Sequence, residues 1–332
     1  MATDYFKAFA KLRSDASPAR WSAATNYRAP HKPFLLLSIM DLIAQNMVKS
    51  GFVQFNAELI DTFDLYWVKV VGPDKDGNSV LPFYHMKSEG FWHLVVVPGM
   101  EKVLAATQQI RSVGQLKQIL LGAQLDEELF IILSDPKMRD ELRRVLIETY
   151  FAPEIRSVLV EVGKITAESF QYSLELLNRL RGDFVLKEAP EVEERYLTES
   201  RSTAFRRIIV EAYNHTCAVC GIRIITPEGR TAVAAAHIVP WGFSHNDDPR
   251  NGMALCGLHH WTFDQGILSV STNYQIKISP IVSTDDDTAK PFLGLADREI
   301  ICPSDVTLYP AKDALKWHLK NVFRADAPLR LL

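Results

Sequence analysis

Hydrophobic positions in the N-terminal part of the chain follow helical spacing in some segments and extended spacing in others. Tyr5, Phe6, Phe9 and Leu12 recur at helical intervals among charged residues, which predicts an amphipathic first helix. A second helix is predicted from Pro33 over "PFLLLSIMDLIAQN", because proline is tolerated in the first turn of a helix. A short strand at "GFVQF" and a helix over "AELIDTFDLYWVKVV" follow. This part of the chain is therefore predicted to be a mixed α/β domain.

The next stretch continues the same domain with strands and then helices. The segment "VLPFYHMKSEGFWHLVVV" predicts two short strands joined by a polar turn from Lys87 to Gly90. Residues 101–182 have apolar positions at helical spacing, interrupted at Pro136 and Pro153. Residues 1–182 are therefore predicted to form one domain, in which several helices follow the α/β part.

The composition changes at residues 183–199, where "DFVLKEAPEVEERYLTE" combines a proline with a run of glutamates and predicts a linker. Residues 200–332 then predict a helix leading into "CAVC", a strand and turn at "TAVAAAHIVPW", and a polar loop at "SHNDDPRNG". A helix over "MALCGLHHWTFDQG", strands in "ILSVSTNYQIKIS" and a last helix over "PAKDALKWHLKNVFR" complete the pattern. The predicted fold class is α+β in two domains.

Charge is distributed unevenly along the chain. The formal net charge of -3 over 332 residues argues against a purely electrostatic nucleic-acid binder. Residues 1–50 nevertheless carry an excess of cations, with Lys7, Lys11, Arg13, Arg20, Arg28, Lys32 and Lys49 against Asp4, Asp15 and Asp41. The most apolar run, "FLLLSIMDLIA", is too short for a membrane span, and the first residues lack the pattern of a signal peptide. We therefore expect a cytoplasmic protein without a membrane partner.

Four cysteines are present, and three of them stand in pairs with metal-ligand spacing. Cys217 and Cys220 form a C-x-x-C pair, and Cys256 precedes His259 by the same interval. Thiolates and imidazole suit a tetrahedral structural Zn²⁺, which the two pairs would supply with four ligands. The alternative is two coincidental pairs, with the cysteines as small buried apolar residues. Cys302 is predicted to be an ordinary half-buried thiol.

Three further residues stand in order around these pairs: His237 in "AAAHIVPW", Asn251 in "RNG", and His260. Neighbouring side chains on a helix point about 100° apart, so His259 and His260 are expected to have different roles. Taken singly, a histidine in an apolar strand is usually a hydrogen-bonded core residue, and Asn-Gly is usually a turn. With this order and spacing, about residues 200–271 resemble the HNH endonucleases, which are ββα-metal nucleases.

The resemblance implies a role for each residue of the motif. His237 would be the general base for the attacking water, and Asn251 would fix the loop and orient His237. His260 and Asp264, four residues apart on one helix face, would hold a catalytic Mg²⁺ or Mn²⁺ that stabilises the leaving 3′-oxygen. The alternative for Asp264 is to cap or brace the helix. Ala236 stands where many HNH nucleases have a metal ligand, so weak metal binding or an inactive nuclease stays open.

Two N-terminal stretches, "YRAPHKPFLLL" and "VLPFYHMKSEGFWHLV", resemble the sulfur-binding domain of phosphorothioate-dependent, McrA-like type IV restriction endonucleases. The resemblance implies double-stranded DNA with a backbone modification as the partner, and a site that combines apolar and basic groups. Its predicted members are Arg28, His31, Lys32, Leu81, Pro82, Phe83, Tyr84 and His85. The alternatives are an ordinary core strand for "LPFYHM" and a helix entrance stiffened by prolines for "PHKP". Phe91 and Trp92 are expected in the core.

The leading hypothesis is therefore a nuclease that recognises phosphorothioate-modified DNA and cuts near it, with structural Zn²⁺ and catalytic Mg²⁺ or Mn²⁺. One alternative is an HNH nuclease gated by methylated or hydroxymethylated cytosine. Another is a DNA-binding regulator with a decayed HNH fold, for which Ala236 is the motive. Cutting both strands with one active site per chain requires two copies or two events, so a homodimer is expected.

Overall fold

A computed structural model describes residues 4–75, 77–187, 196–227, 229–282 and 290–325. These residues form two compact units. Unit 1 contains residues 1–167 and 226–230, and unit 2 contains residues 168–225 and 231–332. The predicted linker, residues 183–199, lies partly outside the described residues, since 188–195 are not described. The predicted domain boundaries therefore stay a prediction.

Unit 1 is built around one helix that is buried on all sides. Its helices are α1 (Tyr5–Ala10), α2 (His31–Ala44), α3 (Ala57–Val70), α4 (Val80–His85), α5 (Glu101–Ala106), α6 (Val113–Ile119), α7 (Glu127–Ser134) and α8 (Pro136–Tyr150), and α9 (Arg156–Arg179) contributes to both units. Every residue of α2 from Lys32 to Ile43 is buried. A helix that is apolar around its whole circumference has to lie inside a core, which explains this central position. The predicted first three helices are confirmed.

A three-stranded antiparallel sheet completes unit 1. Its strands are β1 (Phe52–Val53), β2 (Trp92–Val96) and β3 (Leu120–Leu125), in the order β1-β3-β2. The sequence predicted several helices and named no strand for residues 101–182, so β3 is a correction. A short apolar run such as "LLGAQL" fits a strand and a helix equally well. A Cβ at Gly122 would lie 2.5 Å from the Val53 carbonyl oxygen, so glycine allows β1 to approach β3 closely.

The segment around Pro82 is helical, and the strand predicted there is wrong. Residues Val80–His85 form α4, and a short 3₁₀ turn over Met86–Ser88 leads to β2, the second predicted strand, which is confirmed. The Asn78 side-chain oxygen accepts hydrogen bonds from the backbone N–H groups of Val80 (2.9 Å) and Leu81 (3.4 Å). Pro82 lies in the first turn, where a helix requires no backbone donor. These two features start a helix that the apolar alternation concealed.

A buried ionic network connects three elements of unit 1. The Asp41 carboxylate on α2 accepts hydrogen bonds from Tyr66 Oη on α3 (2.8 Å) and from Arg143 Nη2 on α8 (2.5 Å). Arg143 Nη1 also donates to Tyr66 Oη over 3.0 Å. Each charge is therefore compensated inside the core, and removal of either partner would leave the other charge buried alone.

Unit 2 contains a strand hairpin packed against two helices. Its elements are α10 (Thr198–Ala212), β4 (Val233–His237), α11 (Trp241–Ser244), β5 (Gly252–Cys256), α12 (Gly257–Asp264), β6 (Leu268–Val270), β7 (Ile276–Ile278), α13 (Lys290–Leu293) and α14 (Lys312–Asn321). β4 pairs with β5, and β6 pairs with β7, both antiparallel. Both strands of the hairpin contact α10 and α12. The two paired strands β4 and β5 and the helix α12 therefore form a strand–strand–helix unit.

The predicted helix over residues 253–266 begins later than the sequence suggested. Met253 to Cys256 belong to β5, in register with residues 233–236 of β4, and the helix starts at Gly257. The cause is pairing with β4, which overrides the helical spacing of the apolar residues. The strands of "ILSVSTNYQIKIS" and the last helix are confirmed as β6, β7 and α14. Within the described residues, no helix is long and apolar enough to cross a membrane.

Candidate metal centre and nuclease site, and a cavity in unit 1

The four predicted zinc ligands come together in unit 2. The ligand atoms of Cys217, Cys220, Cys256 and His259 all lie within 4.8 Å of one another. His259 Nδ1 is 3.2 Å from Cys256 Sγ and 3.5 Å from Cys217 Sγ. Three sulfurs and one imidazole nitrogen are the donor set that tetrahedral structural zinc sites use. The Cys₃His cluster could therefore bind zinc, as the sequence predicted.

The positions of the four ligands and the pKa of Cys217 both favour metal binding by this cluster. Cys217 and Cys220 flank the turn after α10, Cys256 ends β5, and His259 lies in the first turn of α12. Burial opposes ionisation of the Cys217 thiol, but hydrogen bonds from His259 and from backbone N–H groups outweigh it and lower the pKa to about 6. A thiolate is the form that binds a metal. Cys302 is half-buried outside the cluster, where burial and then Glu299 raise its thiol pKa to about 11.

His237 ends β4 and makes one short hydrogen bond. Its Nε2 lies 2.8 Å from Oδ1 of Asp247, and its side chain is 25% exposed. The ring stacks on Phe205 of α10 with centroids 4.0 Å apart and an angle of 6° between the planes. The stacking and the hydrogen bond together fix the plane and the direction of the imidazole.

Asp247 is a residue of this site that the sequence interpretation missed. It is 3% exposed, and its Oδ2 accepts a hydrogen bond from Tyr172 Oη over 3.1 Å. Arg201 Nε lies 3.8 Å from the same oxygen. The available signal was the polar loop "SHNDDPRNG", which places two aspartates between His237 and Asn251. Nothing in the sequence alone distinguished Asp247 from Asp248, which instead pairs with Arg250.

Asn251 is completely buried, and its amide holds the loop that follows His237. Its Oδ1 accepts from the Val239 N–H (2.9 Å), and its Nδ2 donates to the carbonyl oxygens of Val239 (3.1 Å) and Asn246 (2.9 Å). The backbone carbonyl of Asn251 also accepts from the Ile238 N–H over 2.8 Å. Asn251 therefore binds the segments on both sides of the loop and makes no side-chain hydrogen bond to His237 itself.

His260 and Asp264 share the exposed face of α12. His260 Nε2 lies 3.5 Å from Asp264 Oδ2, and the two side chains are partly exposed. Partial burial raises the pKa of the Asp264 carboxyl, and the charges of His260 and then His237 act against that rise. Asp264 is therefore within electrostatic range of both histidines. An imidazole nitrogen and a carboxylate on one face form a donor pair suited to Mg²⁺ or Mn²⁺.

Unit 1 contains a cavity of about 460 Å³ that gathers most of the residues predicted to contact modified DNA. Its lining consists of Arg13, Ser14, Asp15, Arg20, Trp21, Ala29, His31, Lys32, Leu81, Pro82, His85, Lys87 and Ser88. Leu81 and His85 reach it together because they are one helical turn apart on α4. Phe83 and Tyr84 lie on the other face of α4 in the core, and Arg28 is exposed outside the lining. Arg13, Arg20 and Trp21, which also line the cavity, were not among the predicted contacts.

The cavity combines an apolar surface with several basic groups. Burial lowers the pKa of His31 to about 4, so its imidazole is neutral at neutral pH, and it packs beside Trp21 and Trp67. The Lys32 ammonium forms an ion pair with Glu89 and donates to Ser88 Oγ over 3.2 Å. Arg13 and Lys87 contribute further positive charge at exposed positions, whereas Arg20 forms an ion pair with Asp15, which also lines the cavity. An anion with a weakly hydrated surface is the ligand that such a lining suits.

Comparison with known proteins agrees with the geometry of unit 2. Residues 217–271 match the model of the HNH endonuclease family. This segment contains all four cluster residues together with His237, Asn251, His260 and Asp264, so the chain carries an HNH endonuclease domain. No curated protein matches the chain.

A solved structure titled "Modification dependent TagI restriction endonuclease" is similar to this chain at 23% sequence identity and a TM-score of 0.29. The similarity covers 43% of this chain and 46% of that one. The chain therefore matches less than half the length of that protein.

Proposed function

We propose that this protein is a modification-dependent restriction endonuclease, in which unit 1 binds phosphorothioate-modified DNA and the HNH domain hydrolyses phosphodiester bonds near the mark. The observation that carries the proposal is the cavity of unit 1, where Leu81 and Pro82 lie among basic side chains. The HNH family match over residues 217–271 supports the hydrolytic half.

The chemistry of sulfur explains why an apolar cavity suits this mark. A non-bridging sulfur is larger, softer and less strongly hydrated than the oxygen it replaces. Contact with Leu81, Pro82 and the neutral ring of His31 removes water from the backbone atom. The free energy of this dehydration is smaller for sulfur than for oxygen. The remaining negative charge of the backbone is stabilised by Lys32, Arg13 and Lys87.

Glu89 competes with the DNA backbone for the Lys32 ammonium. The Glu89 carboxylate forms an ion pair with the Lys32 ammonium. A backbone phosphate therefore has to displace Glu89 from Lys32 or share Lys32 with it. Such competition weakens the binding of every anion by a similar amount. A sulfur that gains apolar contact then retains enough affinity to bind, whereas an ordinary phosphate does not.

In the HNH domain, each residue has a role that its position supports. His237 is the general base, and Asn251 is a positioning residue that holds the loop after β4. His260 and Asp264 are the residues that would hold Mg²⁺ or Mn²⁺, because they offer a nitrogen and an oxygen on one face. When bound, this ion would stabilise negative charge on the leaving 3′-oxygen. The Cys₃His cluster would hold Zn²⁺ for folding rather than for chemistry.

Nicking of a supercoiled phosphorothioate-containing plasmid in the presence of Mn²⁺ tests the hydrolytic half. The wild-type protein is expected to nick it, and His237→Ala is expected to abolish nicking while thermal stability and binding to the modified DNA stay near wild type. His245→Ala is the matched control, since His245 follows α11 in the same unit. Absence of nicking by the wild-type protein, or equal nicking by His237→Ala, would contradict the assignment.

A pair of leucine variants tests the sulfur cavity. Leu81→Ser introduces a hydroxyl into the cavity and is expected to reduce the preference for sulfur over oxygen in the backbone. Leu121→Ser makes the same change at an exposed position of β3 outside the cavity and is expected to leave the preference intact. The preference is the ratio of two dissociation constants, measured by fluorescence anisotropy with duplexes that differ only in the sulfur. Equal effects of the two variants would refute the cavity as the sulfur site.

A further inference from the structure

The position of Asp247 determines which nitrogen of His237 carries the proton. Its Oδ1 is 2.8 Å from His237 Nε2, and an ionised carboxylate can only accept a hydrogen bond. Nε2 therefore carries the hydrogen. In the neutral ring the other nitrogen, Nδ1, then holds the free lone pair, and it makes no hydrogen bond to any of the described residues.

The aspartate itself is held by helices that lie outside the segment matched by the HNH family. Tyr172 on α9 donates its hydroxyl to Oδ2 over 3.1 Å, and Arg201 on α10 places its guanidinium 3.8 Å from the same oxygen. The Arg201 guanidinium also lies 3.7 Å from the centre of the Trp241 ring. A buried carboxylate with two such partners is fixed in position, so it imposes its geometry on His237 rather than following it.

We propose that Asp247 is a positioning residue that holds His237 in the Nε2–H tautomer and so makes Nδ1 the atom that accepts the proton of the attacking water. This inference rests on the proposed nuclease function. The water proton moves to Nδ1 while the water oxygen forms a bond to phosphorus. The bond from phosphorus to the 3′-oxygen breaks, and this oxygen keeps the electron pair and later takes a proton from solvent. The imidazolium formed in this step is stabilised by the Asp247 carboxylate.

Replacement of Asp247 by asparagine separates the tautomer from the shape of the site. The amide occupies nearly the same volume, but its NH₂ group can donate a hydrogen bond to Nε2, which the carboxylate never does. The hydrogen of the imidazole then moves to Nδ1, where it blocks the base. Phe205 still stacks on the ring, so the orientation of the ring is retained.

The experiment combines ¹⁵N NMR of histidine-labelled protein with single-turnover cleavage. At about pH 8, the wild-type spectrum is expected to show the neutral His237 ring protonated at Nε2. Asp247→Asn is expected to shift that proton to Nδ1. The rate of the cleavage step should fall by about 10⁴-fold, by analogy with the buried aspartate of serine proteases, with little change in DNA affinity.

Asp248→Asn is the matched control, because Asp248 is equally buried in the same loop but pairs with Arg250. It is expected to lower thermal stability and leave the His237 tautomer unchanged. A wild-type His237 protonated at Nδ1, or an Asp247→Asn variant with unchanged tautomer or cleavage rate, would overturn the inference.

The tautomer measurement needs no DNA and is independent of the nuclease proposal. If the wild-type protein cuts no DNA, the proposed function fails while the spectrum still shows whether Asp247 fixes the tautomer. If the protein cuts and the spectrum is wrong, only the role of Asp247 fails.

Discussion

Gly252 lies where the packing of α10 against β5 affects the position of His237. It starts β5 opposite His237, and a Cβ at this position would lie 2.5 Å from Ile209 Cδ1 and 2.8 Å from Phe205 Cζ. Ile209 and Phe205 are almost completely buried on α10, so neither side chain has free space to enter. We therefore expect Gly252→Ala to push α10 and the hairpin apart.

The cost follows from the size of the overlap. Inserting one methyl group into a well-packed core costs about 1–3 kcal/mol. For a domain of this size, such a loss corresponds to a fall in Tm of about 2–12 °C. Phe205 stacks on His237 with centroids 4.0 Å apart, so its displacement also moves the imidazole. A shift of about 1 Å in a reacting group can reduce catalysis by about 10²-fold. We therefore expect the cleavage rate of Gly252→Ala to fall by at most about 10²-fold.

Differential scanning calorimetry and the nicking assay measure the two effects. Gly242→Ala is the control, because no atom lies within 4 Å of a Cβ at that exposed position of α11. It is expected to change neither Tm nor nicking by a measurable amount. If Gly252→Ala melts like the wild type and nicks at the same rate, the tight contact between α10 and the hairpin is not a feature of the protein.

Three further changes test other parts of the structure. Cys217→Ser should release zinc, detected with a chromogenic chelator, and destabilise unit 2, whereas retention of the metal and of the melting profile would refute the zinc assignment. Arg143→Met should cost about 3–5 kcal/mol in urea unfolding because it removes the cation that is hydrogen-bonded to the buried Asp41 carboxylate, and a loss below about 1 kcal/mol would contradict the network. Burial lowers the pKa of His31 to about 4, so between about pH 6.5 and pH 4 the unfolded chain binds a proton that the folded chain does not. The free energy of unfolding should therefore decrease as the pH falls through this window, and His31→Phe should remove that part of the decrease. If His31→Phe and the wild type show the same pH dependence, His31 is not the group responsible.

The sequence predicted elements well where one periodicity dominated and poorly where two structures fitted the same letters. The continuous apolar run of α2 allowed one interpretation, and the structure has that helix in the core of unit 1. In contrast, "VLPFYH" satisfies a strand pattern, and a helix forms there because Asn78 accepts hydrogen bonds from the first backbone N–H groups and Pro82 lies in the first turn. β3 depends on pairing with β1 and β2, which lie far away in the sequence.

The candidate site shows the same limit at the level of single residues. The Cys₃His cluster was predictable because its spacing alone specifies a metal chemistry. Asp247 was not, since its role depends on Tyr172 and on the direction in which a loop places one of two neighbouring aspartates. The cavity of unit 1 was predicted in part: Leu81 and His85 were named, but Arg13 and Trp21 come from a segment without any motif.

The proposed function requires this protein to distinguish sulfur from oxygen in the DNA backbone. The most direct measurement is the dissociation constant for two duplexes of identical sequence, one with phosphorothioates of natural stereochemistry and one without, in the absence of divalent metal. We expect much tighter binding of the sulfur-containing duplex, followed by cutting of that duplex alone when Mn²⁺ is added. Equal binding of the two duplexes would contradict the claim and leave the HNH domain without an assigned mark.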